Sequence, residues 1–260
     1  MLIRPLRVLA AALAFSSTLR AENAFVGKWK IDEAKSHISG SSDSVAAAGP
    51  NTWKFQYGAY SWTVKADGTY QPTPLGDTVS MRVLGPVSWQ FDHKSDGKPT
   101  GSETWNLAPT RNSMTRTFTG HDENGKPYTG VSTMRRTSGS GGFEGSWEST
   151  EVTLPFHEVD VAANGNDGVS LLLPEDGTHY SLKFDGKEYP ERGPRIPAGL
   201  TVSAKLLGPR KVEASTRING KVFDREEWEL SEDGNTFTYK ELDAGTEKPI
   251  VIVLHRMQDR

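Results

Sequence analysis

The sequence repeats itself. Phe25-Val26-Gly27-Lys28-Trp29 returns 118 residues later as Phe143-Glu144-Gly145-Ser146-Trp147, and Lys65-Ala66-Asp67-Gly68 returns at the same spacing as Lys183-Phe184-Asp185-Gly186. After a five-residue insertion the match resumes between Leu84-Gly85-Pro86 and Leu207-Gly208-Pro209, then between Gly97-Lys98 and Gly220-Lys221. It continues with Glu103-Thr104-Trp105-Asn106-Leu107 against Glu226-Glu227-Trp228-Glu229-Leu230. Ordered anchors at nearly constant spacing are the mark of a duplication, so the 260 residues are expected to hold two copies of one module rather than one large domain. The expected modules are 22–137 and 143–260. Between them, residues 138–142 (Ser-Gly-Ser-Gly-Gly) read as a short flexible linker.

Each copy reads as β structure. Ser61 to Lys65, Thr78 to Leu84 and Val87 to Phe91 alternate or run β-branched and aromatic, as do Thr201 to Leu207, Val212 to Ile218 and Ile250 to Leu254. No stretch sustains helical periodicity. Asp67-Gly68, Asp96-Gly97, Asn124-Gly125, Asp176-Gly177, Asp185-Gly186, Asn219-Gly220 and Asp233-Gly234 supply the positive φ angles of tight hairpins, so the strands are expected to run as an antiparallel meander.

Stability has to come from burial, because the chain has no cysteine and hence neither disulfides nor thiolate metal sites. Modules of roughly 110 residues can bury enough for that. Residues 1–21 place Arg4 and Arg7 ahead of the apolar run Val8 to Phe15, followed by Ser16, Ser17 and Ala21, the order of a secretory signal peptide. That run falls well short of the roughly 20 apolar residues that span a bilayer. A secreted or periplasmic location is therefore expected, without stable membrane insertion after signal cleavage. Removal of Arg4, Arg7 and Arg20 takes the formal net charge from −3 to −6, which argues against nucleic acid as a partner.

Gly27-x-Trp29 and Gly145-x-Trp147, with Arg135, Arg136 and Arg256 late in the copies, resemble the lipocalins and their calycin relatives. Those proteins open with Gly-x-Trp on the first strand and lay a late basic residue across that tryptophan at the closed end of an up-and-down barrel. The resemblance implies an all-β chain of two tandem antiparallel up-and-down β-barrel modules. It also implies that Arg135 or Arg136 closes over Trp29 and Arg256 over Trp147, where a guanidinium plane gains cation–π attraction on the indole. The segments 27–36 and 185–190 are also similar to exported proteins of environmental bacteria. A typical lipocalin is longer, carries a helix outside the barrel and often a disulfide. Without helix or cysteine, each copy fits a smaller or partly open barrel.

Trp29, Trp147, Trp105 and Trp228 recur in both copies, which assigns them to core or closure. Trp53, Trp62 and Trp89 have no tryptophan counterpart in the second copy, and Tyr57, Tyr60 and Tyr70 make the first copy richer still in aromatics. They read either as ordinary strand packing or as the wall of a site for a small hydrophobic ligand. The candidate ligand-binding residues are Trp53, Trp62, Trp89, Tyr57 and Tyr60, and the candidate closure residues are Trp29, Arg136, Trp147 and Arg256.

No catalytic residue is singled out, and no metal or cofactor is expected. There is no nucleophile elbow, phosphate-cradling loop or dinucleotide fingerprint. The stretch from Asp92 to Glu103 has the length of a calcium loop, but Lys94 puts an ammonium where an oxygen ligand belongs. Glu103 and Glu226 lie two residues before Trp105 and Trp228, so on a strand each acid shares a face with its indole. If that face is inward, the acid needs a buried partner such as an arginine.

Three functions follow from these readings. The leading one is an exported non-catalytic binding protein that holds a small apolar ligand in a barrel mouth. The second is a cell-envelope structural or interaction module with solid barrels and a protein partner that the sequence does not name. The third is an enzyme, which requires two ionisable side chains meeting in a pocket.

Overall fold

A computed structural model describes residues 23–258 apart from 59, 122–123, 155, 176, 194–195, 197–198 and 243–248. The expected signal peptide lies outside the described residues. The fold is all-β. The chain enters through β1 (Gly27–Ile31) and continues with β2 (Ser42–Gly49), β3 (Thr52–Tyr57), β4 (Tyr60–Lys65) and β5 (Tyr70–Pro72). Next come β6 (Thr78–Gly85), β7 (Ser88–Ser95), β8 (Lys98–Leu107), β9 (Ser113–His121) and β10 (Pro127–Ser138). The second half supplies β11 (Gly145–Thr153), β12 (Glu158–Ala163), β13 (Gly168–Leu173), β14 (Thr178–Lys183) and β15 (Tyr189–Arg192). It ends with β16 (Leu200–Gly208), β17 (Lys211–Ile218), β18 (Lys221–Leu230), β19 (Thr236–Glu241) and β20 (Ile250–Arg256).

These strands form two ten-stranded antiparallel sheets. One is a closed barrel of β1 followed by β12 through β20, and the other runs β4-β3-β2-β11-β10-β9-β8-β7-β6-β5 and nearly closes. The nearly closed sheet is therefore continuous in sequence, residues 42–153, and is inserted between the first two strands of the closed barrel. Modules bounded at 22–137 and 143–260 do not describe this arrangement, because each opening strand sits in the other sheet.

Local chain closure is the physical reason. The segment expected as a linker, 138–142, begins on the last residue of β10 and continues into the connection between β10 and β11, which pair antiparallel with Arg136 opposite Trp147. Gly139 at φ +83° and Gly141 at φ +91° supply the left-handed backbone this connection needs. Closing so short a loop costs little entropy compared with a search for a distant partner. The strand carrying Trp147 is thus captured beside β10 and β2. The vacancy beside β12 and β20 goes to β1.

The closure pairs are therefore the reverse of those expected. The Arg256 guanidinium lies 4.2 Å over the Trp29 ring and that of Arg136 lies 4.1 Å over Trp147. Arg135 points outward, to an exposed pair with Glu148. Both closures share one design. Each indole is fully buried, and its Nε1–H donates to a carbonyl four residues earlier, Trp29 to Phe25 at 2.9 Å and Trp147 to Phe143 at 2.8 Å. Each arginine donates to three backbone carbonyls: Arg256 to Ala24, Val26 and Gly234, Arg136 to Arg111, Gly142 and Glu144. A Cβ on Gly27 would collide with the Arg256 guanidinium, and one on Gly145 with the Ser138 carbonyl oxygen. That accounts for glycine two residues before each tryptophan.

Candidate functional site

The two sheets differ inside. In the nearly closed sheet, Trp89 stacks on Phe143 at 4.0 Å and packs 4.8 Å from Trp53 and 6.1 Å from Trp105, so rings take up much of the interior and leave a smaller cavity of about 220 Å³ beside Asp77, His93 and Phe118. The closed barrel instead holds a cavity of about 480 Å³ that is partly open to solvent. Its wall is largely apolar, with Val159, Leu171, Val202, Phe237, Ile252 and Leu254 among the lining side chains.

One side of the cavity is polar, and strand alternation puts it there. On β18, Asp224, Glu226, Trp228 and Leu230 are buried while the residues between them are more exposed. On β19, Phe237, Tyr239 and Glu241 face the same cavity. The register sets Leu230 opposite Phe237, Trp228 opposite Tyr239 and Glu226 opposite Glu241. Polarity therefore rises in steps, starting from Phe237, which packs 5.5 Å from Trp29 at the closed end.

Glu226 is held rather than paired with a cation. The Thr216 hydroxyl donates to one carboxylate oxygen at 2.6 Å and the Trp228 indole donates to the other at 3.1 Å. Burial raises its pKa, and the hydrogen bonds offset only part of that rise. Burial also pushes Glu241 up to about 8, and the nearby charges of Asp224 and Glu226 add to the effect. The Tyr180 hydroxyl is raised well above its ordinary value, first by burial and then by Glu226 and Glu191. Across the mouth, Tyr57 from β3 stacks on Phe223 at 6.0 Å, and Tyr60 packs against the same ring at 5.5 Å. Burial, with Glu241 and Asp224 close by, raises the Tyr57 hydroxyl as well.

A carboxyl that keeps its proton near neutrality can donate a hydrogen bond to a group inside the cavity. Among the described residues, no three His, Asp or Glu side chains converge as metal ligands.

The five aromatic residues singled out from the sequence do not form one pocket. Tyr57 reaches the cavity mouth. Tyr60 belongs to a small cluster with Leu200 and Ile218 where the two barrels meet. Trp62 stacks on Phe55 at 5.8 Å, and Trp53 and Trp89 pack inside the filled sheet. Aromatic richness marked the sheet whose rings satisfy one another, while the cavity opened in the sheet with fewer of them. Of the paired acids, Glu226 faces inward but takes Thr216 and Trp228 as partners instead of an arginine. Glu103 is half-buried, 3.9 Å from His93. The calcium-like stretch is the β7–β8 hairpin, with Asp92 bound by Arg82 at 2.6 Å. Sequence reasoning missed Asp224, Glu241, Tyr180 and Tyr239, although the alternation Asp224-x-Glu226-x-Trp228-x-Leu230 carried the signal. The chain matches no protein-family model, and neither a curated protein nor a solved structure is detectably similar to it.

Proposed function

We propose that the chain is an exported, non-catalytic binding protein that holds one small, mostly apolar molecule inside the closed barrel. The observation that carries this reading is the contrast between a sheet whose interior is largely taken up by aromatic rings and one that holds a larger, mostly apolar cavity. A cavity of about 480 Å³ is the size that small-molecule sites have. Trp29 and Arg256 close one end of the barrel, and Tyr57 and Phe223 lie at the partly open mouth of the cavity. Export rests on the charged, apolar and small-residue order of residues 1–21. Duplication, as the origin of the two sheets, is supported by the recurrent anchors and by the shared geometry of the two closures. The packed sheet fits the solid-barrel alternative for its own half, where it serves as the roof of its neighbour.

The test is titration with N-phenyl-1-naphthylamine, an uncharged dye that fluoresces in apolar surroundings. Saturable binding to the full chain is expected, and Val202→Trp, which fills the cavity from a buried wall position, should abolish it. Failure of the wild-type protein to bind, or equal binding by the variant, would overturn the reading.

A further inference from the structure

We propose that the ligand of the closed barrel carries a cationic, ammonium-like head on an apolar body, and that Glu226 and Glu241 hold the head. The proposal rests on the binding reading above and names its substrate class. Three independent features converge on it. First, Glu226 and Glu241 are directly opposed across neighbouring strands, a placement that destabilises a sheet when both are charged and nothing lies between them. Second, Glu226 and Glu241 both line the cavity, and the described lining holds no lysine, arginine or histidine. Third, Tyr180 is 9% exposed and lines the cavity within reach of the charges of Glu226 and Glu191, which adds an aromatic ring to the acidic side.

The rings around the acids complete the chemistry. Trp228 and Tyr239 occupy the rung next to the carboxylate pair, and aromatic faces attract alkylammonium groups by cation–π interaction. Beyond them Leu230 and Phe237 offer only apolar surface, so the head sits at the Glu226–Glu241 rung and the body extends toward Trp29.

A permanent cation at this rung displaces the proton that Glu241 otherwise retains, so binding releases a proton and tightens as pH rises. Among the described residues, the titratable groups that share the cavity with Glu241 are Asp224 and Glu226 on β18, Tyr239 on β19, Tyr180 on β14, Glu191 on β15 and Tyr57 on β3.

Calorimetric titration of the full chain with decyltrimethylammonium, decanol and decanoate tests the proposal, because the quaternary head never titrates. The cation is expected to bind at least about tenfold tighter than the alcohol near pH 9, with decanoate weakest, and its advantage should shrink near pH 6. Glu241→Gln should weaken the pH dependence, leaving the part that Glu226 contributes. The double variant Glu226→Gln/Glu241→Gln should lose the preference for the cation while still binding N-phenyl-1-naphthylamine, which reports an intact cavity. If wild-type protein binds the dye but takes decanol or decanoate as tightly as the cation, the head-group assignment is overturned and the barrel reading stands. If it binds none of these compounds, both are overturned. A double variant that no longer binds the dye is replaced by Glu241→Gln alone, whose unchanged pH response would equally refute the proposal.

Discussion

Glu226 on β18 lies directly opposite Glu241 on β19, both facing the cavity of the closed barrel. The pair is asymmetric. Glu226 is fixed by hydrogen bonds from Thr216 and Trp228, whereas burial and the neighbouring acids push Glu241 up to about 8. At neutral pH the fold therefore keeps a proton on one member of a pair whose other member is clamped.

Stability should record that proton. In the unfolded chain Glu241 titrates near its ordinary 4.5, and in the folded chain near 8. Its contribution is thus fully present below pH 4.5, falls as pH rises, and is gone above about pH 8. Glu241→Gln should flatten the denaturant midpoint across this window and make the protein more stable than wild type at alkaline pH, by on the order of 2 kcal/mol. A variant curve parallel to wild type from acid to alkaline pH would contradict the assignment.

The two closure glycines should differ in tolerance. Gly145, at φ +133°, leaves no room for a Cβ beside the Ser138 backbone carbonyl, while Gly27, at φ +151°, faces the movable end of Arg256. Gly145→Ala is expected to cost on the order of 3 kcal/mol and Gly27→Ala about 1–2 kcal/mol, read by chemical denaturation. Equal losses would contradict the geometry.

Arg256 ties the first described strand to the last, through Trp29 and the carbonyls of Ala24 and Val26. Arg256→Met keeps the apolar cover over the indole but removes three hydrogen bonds. A loss of roughly 1–3 kcal/mol is expected. Hydrogen exchange in β1 should rise more than in β11, whose own closure by Arg136 is untouched. Uniform acceleration in both strands would argue against a local staple.

Packing and binding should separate between the sheets. Trp89→Leu removes a ring that contacts Trp53, Phe91, Trp105 and Phe143, and should cost about 2–4 kcal/mol while leaving dye affinity in the closed barrel unchanged. Loss of dye binding in a folded Trp89→Leu protein would place the ligand in the wrong barrel.

Tyr57 reaches across from one sheet to roof the cavity of the other, on Phe223. Tyr57→Ala should speed ligand release more than it slows entry, since an aromatic contact of this kind is worth about 0.5–1.5 kcal/mol. Stopped-flow dissociation of the bound dye measures it, and an unchanged off-rate would remove Tyr57 from the gate.

By itself the sequence determined the class of structure and its local devices. Alternation and the Asn-Gly and Asp-Gly pairs specified antiparallel strands and hairpins, because side-chain period and turn backbone are set by a few adjacent residues. Gly-x-Trp and the late arginines specified closures of the right kind. The tertiary structure alone decided which closure belongs to which sheet, because Gly27–Ile31 and Gly145–Thr153 are near-equivalent strands and the choice between them depends on loop closure and on partners more than 100 residues away. It also decided which barrel is hollow. An aromatic count cannot tell rings that line a space from rings that fill it, and no spacing along the chain places Glu226 opposite Glu241. That juxtaposition comes from the register of β18 on β19, a property of two strands together and of neither alone.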